Sequence, residues 1–215
     1  MVQYIKNLIE RGENQQLDFK FEISDAKKIA RTFSAFANTD GGKLLVGVKD
    51  NGVISGIRTE EENYMVESAA HIFCRPAVKY HTKKWNINGK WILEVTIPRA
   101  KKKPAYAKAE DGRWMAYVRV DDQNMLANSV MLNVWKTEGR RKGIYIRYGN
   151  REKTVMKVLK ENNFISSKDL AEKTGIKKFI VEKILVKLII VGVVEIIITG
   201  QEVEYKLKMV PEPLQ

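Results

Sequence analysis

Cysteine is nearly absent: Cys74 stands alone in 215 residues. A single thiol excludes an intramolecular disulfide and fits a reducing compartment, so the expected location is the cytoplasm. It also excludes a cysteine-rich zinc site, because His71, Cys74 and His81 offer three ligands where a structural zinc needs four. Long apolar runs are missing too. The longest, Leu188 to Val194, is broken by Gly192 and falls short of the ~20 residues a membrane span needs. The opening stretch, Met1 to Glu13, mixes Lys6, Glu10 and Arg11 into an amphipathic pattern that is not a signal peptide. Acidic charge is the scarcer sign, with 26 Asp and Glu against 38 Lys and Arg and a formal net charge of +12. With 44% apolar and 30% charged residues, the chain has a globular rather than a disordered composition.

The excess positive charge is concentrated. Residues 151–215 carry net +3, which leaves +9 on residues 1–150. One cluster is Lys101, Lys102 and Lys103, ahead of Pro104. The other is Lys136, Arg140, Arg141, Lys142, Arg147 and Arg151, with Tyr145 and Tyr148 between them and only Glu138 opposing. Such clusters attract polyanions through counterion release, and a solvated face is the alternative reading.

Along the chain, Val2, Ile5, Leu8 and Ile9 mark a short helix. Gln16 to Ile23 alternates, with Leu17, Phe19, Phe21 and Ile23 on one side, and predicts a half-buried strand. Ser24 or Asp25 caps the next helix, which stops at Asn38–Gly42. Lys43–Lys49 reads as a buried strand that Asn51-Gly52 turns into a second, Val53–Ile57. A helix over about 60–73 follows, then strands near 78–86, 90–97, 105–108 and 114–120, with the four tryptophans anchoring the core. A helix near 129–135 closes this part. The expectation is an α+β domain, mostly antiparallel sheet with flanking helices, over residues 1–138. Residues 139–150 form a basic linker. Residues 151–208 give three helices with a tight middle turn and then a two-stranded ribbon, the order of a winged helix-turn-helix domain. Residues 209–215 are a tail.

Thr32 to Gly52 (TFSAFANTDGGKLLVGVKDNG) resembles the signature of the Schlafen AlbA-like domain, roughly S-A-F-A-N-T-x-G-G followed by G-V-x-D-x-G. Asp18-Phe19-Lys20 matches the preceding acidic-F-K element, and Ala116–Val120 is similar to the late strand in which an aromatic precedes V-R-V. The resemblance covers about residues 5–135. It implies two kinds of activity. Bacterial chains of this type, with a following winged helix, are mostly transcriptional regulators. In animal Schlafen proteins the domain is an RNA endonuclease core with three acidic residues, which match Glu13, Asp18 and Asp50 here. An older label of divergent ATPase finds no support, since no G-x-x-x-x-G-K-[ST] loop is present.

Three carboxylates whose strand ends meet can hold Mg²⁺ or Mn²⁺, with Lys20 beside Asp18 to hold the scissile phosphate. The alternative is structural: an Asp18–Lys20 ion pair, a turn-forming Asp50 and a helix-end Glu13. Asp18 is also a methylene shorter than the Glu usual at its position, and Lys49 stands where an acid is common.

In the C-terminal part, Ile176, Phe179, Ile180, Ile184 and Leu188 form an apolar stripe for the core, with Lys177, Lys178 and Lys183 on its flanks. Few residues there are suited to base readout. The first reading is therefore a DNA-binding transcriptional regulator, expected to form a homodimer and to need no cofactor. It would bind through Lys101, Lys102, Lys103, Arg140, Arg141, Lys142, Arg147, Lys177, Lys178 and Lys183. The alternatives are a metal-dependent endoribonuclease using Glu13, Asp18, Lys20 and Asp50, and a dimeric protein-interaction adaptor.

Overall fold

The computed structural model describes residues 2–57, 60–138, 148–200 and 202–208. It divides into two compact units, Met1–Ala127 and Asn128–Gln215. Among the described residues no helix is long and apolar enough to cross a membrane.

The first unit runs α1 (Val2–Glu10), β1 (Leu17–Lys20), α2 (Ala26–Asn38), β2 (Gly42–Val46), α3 (Glu61–His71), β3 (Cys74–Arg75), β4 (His81–Ile87), β5 (Lys90–Ile97), β6 (Tyr106–Lys108), β7 (Trp114–Val120) and β8 (Gln123–Leu126). One sheet has the order β1-β2-β5-β4 and the other β3-β6-β7-β8. Pairing is antiparallel except between β1 and β2, which are parallel because α2 crosses between them. The α+β expectation holds.

Helix α2 organises this unit. Asp25 caps it by accepting a hydrogen bond from the Lys27 backbone N–H at 2.8 Å. Its Ile29, Phe33 and Phe36 join Leu44, Val46, Leu93 and Val95 of the first sheet to Ala107 and Tyr117 of the second in one core. Fully burying a Leu, Ile, Val or Phe side chain of this core is worth about 1.5–3 kcal/mol. On the opposite face of the first sheet, Ile5 of α1 packs with Leu17, Phe19, Leu45, Ile87 and Ile92.

The second unit comprises α4 (Ser129–Glu138), α5 (Asn150–Glu161), β9 (Ile165–Ser166), α6 (Ser167–Thr174), α7 (Lys178–Ile190), β10 (Val194–Thr199) and β11 (Glu202–Leu207). Its sheet is antiparallel, ordered β10-β11-β9. Ser166 caps α6, and Gly175 ends it in the left-handed region at φ +67°. The core gathers Val155, Leu159, Leu170, Val181, Leu185 and Tyr205.

The structure corrects several expectations. The helix expected to close the first domain at residue 138 belongs to the second unit: Val130 and Val134 pack in its core, and Asn128 Nδ2 donates to Tyr205 Oη at 3.0 Å. The alternating strand 16–23 shortens to Leu17–Lys20, and its polar-side Asp18 is buried because the sheet is covered on both faces. Asn51-Gly52 does turn the chain, but Val53–Ile57 makes only an isolated bridge, Val48 to Ile54. Gly47, at φ +94°, bends the chain so that its carbonyl accepts from the N–H groups of both Ser55 and Gly56. The short strands β3, β8 and β9 carry too little pattern to read. Trp91 and Phe179 stand half exposed rather than in a core. Most of the linker, residues 139–147, and the tail from 209 lie outside the described residues.

Candidate nucleic-acid interface

The acidic residues named for the nuclease alternative do not all come together. Glu13 and Asp18 are drawn together where the loop after α1 meets β1. Glu13 Oε1 accepts from the Phe19 N–H at 2.7 Å and stands 3.8 Å from Lys20 Nζ. Asp18, 3% exposed, accepts from Lys20 Nζ at 3.1 Å, Arg119 Nη2 at 3.4 Å and Thr32 Oγ1 at 3.3 Å. Burial raises the Glu13 carboxyl above its ordinary value. A hydrogen bond with Asp18 adds to this, and the Phe19 N–H opposes it.

Asp50 does not join them. It is exposed, in the turn that follows β2. Among the described residues no group of three or more His, Cys, Asp or Glu side chains could share a metal ion, so the expected three-carboxylate cluster is not assembled. The donor set does not fit a divalent cation either, since Asp18 already carries an ammonium and a guanidinium. Lys20 is committed to Asp18, Glu13 and the Phe19 carbonyl. What these residues do is pin β1 to β7 and α2.

Arg119, in the sequence only one position of a motif, is the centre of that arrangement. It is 2% exposed and donates to the carbonyls of Asn14 and Leu17 and to Asn124 Oδ1, as well as to Asp18. Its guanidinium also lies 5.2 Å from the centre of the Phe36 ring. The signal was present as an arginine inside an apolar strand, where a charge needs several buried partners.

The signature residues serve the same end. Ser34 Oγ donates to the Ala105 carbonyl at 2.8 Å and accepts from the Tyr117 N–H at 3.0 Å. Asn38 Nδ2 donates to the carbonyls of Ala105 and Tyr117, and its Oδ1 accepts from the Ala105 N–H at 2.8 Å. Thr39 Oγ1 accepts from the Arg119 N–H at 2.9 Å. A Cβ on Gly41, at φ +74°, would come 2.8 Å from the Ile97 carbonyl oxygen, and one on Gly42 would come 2.5 Å from the Phe36 ring. The motif clips α2 to the second sheet and lets β2 pass close beside it.

A second buried carboxylate leaves no signal in the sequence pattern. Glu94 of β5 accepts from Tyr4 Oη at 2.7 Å, Lys43 Nζ at 2.6 Å and Trp85 Nε1 at 2.7 Å. Burial pushes its carboxyl up, but these three donors outweigh burial and hold it below its ordinary value. The cluster fastens α1 to the first sheet. Cys74 is buried with its thiol pushed up to about 12 by desolvation, which makes it inert rather than reactive.

The basic residues behave differently. Lys101 and Lys102 are exposed, whereas Lys103 is half-buried ahead of Pro104. Lys177, Lys178 and Lys183 are exposed around the start of α7. Phe179, 56% exposed, sits among them with Lys183 Nζ 5.6 Å from its ring centre. Lys178 reaches Glu182 at 3.9 Å, a loose pair between neighbouring turns. Arg140, Arg141, Lys142 and Arg147 lie outside the described residues.

Among solved structures, the DIP2311 protein from Corynebacterium diphtheriae is similar over 60% of this chain at 21% identity, with a TM-score of 0.44. The match spans only 25% of that protein's chain. The N-terminal domain of a putative ATP-dependent DNA helicase RecG-related protein from Nitrosomonas europaea matches 68% of this chain and 97% of its own at 22% identity, with a TM-score of 0.42. No curated protein matches. Residues 145–201 match the PCI domain. The family described as Schlafen, AlbA_2 matches residues 13–128, more than half of the chain and nearly all of the first unit, and the protein belongs to that family.

Proposed function

We propose that the protein is a cytoplasmic DNA-binding transcriptional regulator that holds the nucleic acid mainly through its phosphates. The observation that carries this reading is the start of α7, where Lys177, Lys178 and Lys183 surround the exposed Phe179. The order α5, β9, α6, α7, β10, β11 supports the winged helix-turn-helix reading, in which the third helix meets the groove. Lysines there contact phosphates, and α7 offers almost no Arg, Asn or Gln to read base edges, so affinity exceeds selectivity. The net charge of +12 agrees with a polyanionic partner.

The test is the salt dependence of duplex DNA binding by the full chain. Each phosphate contact adds about 0.9 to the slope of log affinity against log salt. Replacing Lys177, Lys178 and Lys183 by Gln is expected to lower that slope by about 2–3. A slope that the triple variant leaves unchanged would remove α7 from the interface. Running the wild type with Mg²⁺ or Mn²⁺ and with EDTA on duplex DNA and folded RNA tests the nuclease alternative, which metal-dependent cleavage lost in Asp18→Ala would establish.

A homodimer is the second part of the reading. Val191 and Val193 are exposed at the turn into β10, which is an edge strand. An apolar edge of this kind pairs readily with another chain. Light scattering that returns a monomeric mass at working concentration would set the dimer aside, and with it the adaptor alternative.

A further inference from the structure

In the first unit, a pocket of about 370 Å³ opens between the segment after β3 and the segment after β5. Its rim carries Lys79, Arg99, Lys101 and Lys102, all exposed, and no carboxylate lines it. None of these four cations has a hydrogen bond or ion-pair partner among the described residues. The rest of its lining is apolar: Ala37, Val78 and Ala105 are buried, Ala100 is half-buried, and Pro76, Ala77 and Pro98 are exposed. Both segments are fixed by backbone hydrogen bonds, from Ala100 N–H to the Ala37 carbonyl at 2.8 Å and from Val78 N–H to the Ala70 carbonyl at 3.1 Å. Two other grooves of this unit differ in kind. The one beside Arg11 and Lys43 includes Asp40, and the one beside Lys83 includes Glu94.

Four like charges around one opening repel one another. The arrangement suits a ligand that brings negative charge to the rim and a flat apolar body to the interior. A pocket of this size is within the range that encloses a small organic group. A nucleotide has that division, with phosphates outside and a ring inside. A paired base cannot present its ring, because it is stacked in the duplex.

We propose that this pocket takes the base of an unpaired nucleotide within a nucleic-acid strand, with the flanking phosphates held by Lys79, Arg99, Lys101 and Lys102. The inference rests on the nucleic-acid-binding reading above and extends it to a second site, selective for single-stranded or unstacked segments. The lining has no carboxylate or side-chain amide to read a base edge, so base preference is weak.

The experiment uses the full chain, a labelled oligothymidylate and the same strand annealed to its complement, read by fluorescence anisotropy. Ala77→Leu fills the opening from an exposed position and leaves the charge unchanged. It is expected to weaken single-strand binding about tenfold while duplex affinity stays as in the wild type. A second variant, Arg99→Gln with Lys101→Gln, alters no packing and is expected to weaken the single strand more than the duplex. Wild-type single-strand affinity in Ala77→Leu overturns the pocket and leaves the binding function intact. Failure of the wild type to bind either probe at low salt overturns both.

Discussion

Two regions of the first unit use their polar groups in opposite ways. Around α2, the buried signature groups are engaged: Asp18 has three donors, Arg119 four acceptors, and Ser34 and Asn38 close on the backbone of Ala105 and Tyr117. At the rim of the basic pocket, Lys79, Arg99, Lys101 and Lys102 have no partner among the described residues. A buried charge survives only when it is paired, so the first region serves folding. Exposed cations without partners remain available to a ligand. Signature residues therefore hold the fold together here, whereas the exposed cations at the pocket are the ones the proposed binding reading uses.

The sharpest way to break this contrast is Arg119→Met. It leaves Asp18 buried with fewer donors and is expected to cost about 3–5 kcal/mol in denaturant unfolding. A loss below about 1 kcal/mol would show that the cluster is dispensable to the fold and reopen a functional role for Asp18.

Two carboxyls with shifted titration, half-buried Glu13 and buried Glu94, give a smaller and more selective test. Glu94 is held below the ordinary 4.5, so its contribution is present above that pH and lost as pH falls through its folded value. Glu13 is raised above 4.5, so its contribution is present below that pH and is lost as pH rises through its folded value. Denaturation midpoints followed against pH should show Glu94→Gln flattening the acid limb and Glu13→Gln flattening the limb above it. Identical profiles for the two variants would contradict the opposite signs.

The smallest stability effect belongs to the basic pocket. Lys101→Gln with Lys102→Gln is expected to change unfolding free energy by no more than about 0.5 kcal/mol while lowering nucleic-acid affinity and its salt slope. A large loss of stability would mean that these lysines carry structure after all.

Element positions were largely legible in the sequence where periodicity or a cap is clear, as in α2 with Asp25 and in β7. They failed where strands are two to four residues long, as in β3, β8 and β9, because so short a run cannot express a period of two. Helix α4 was placed in the right residues but in the wrong unit, since an apolar face does not name the surface it will cover. The candidate site shows the same limit. Charge counting found Lys101–Lys103 and the α7 lysines, whereas Lys79 and Arg99 are separated from each other in sequence and meet around one opening only in the fold.

By itself the sequence determined the α+β class, the signature from Ser34 to Gly42, the basic excess and the order of the three helices and final hairpin after residue 148. Local propensity, capping and composition act over a few residues and can be read there. Only the tertiary structure decided that Asp18 pairs with Arg119 while Asp50 stays in solvent, that Phe179 leaves the core, and that four cations surround one apolar pocket. Each of those outcomes depends on residues far apart in sequence, and partner choice among them is set by which strands and helices close on one another.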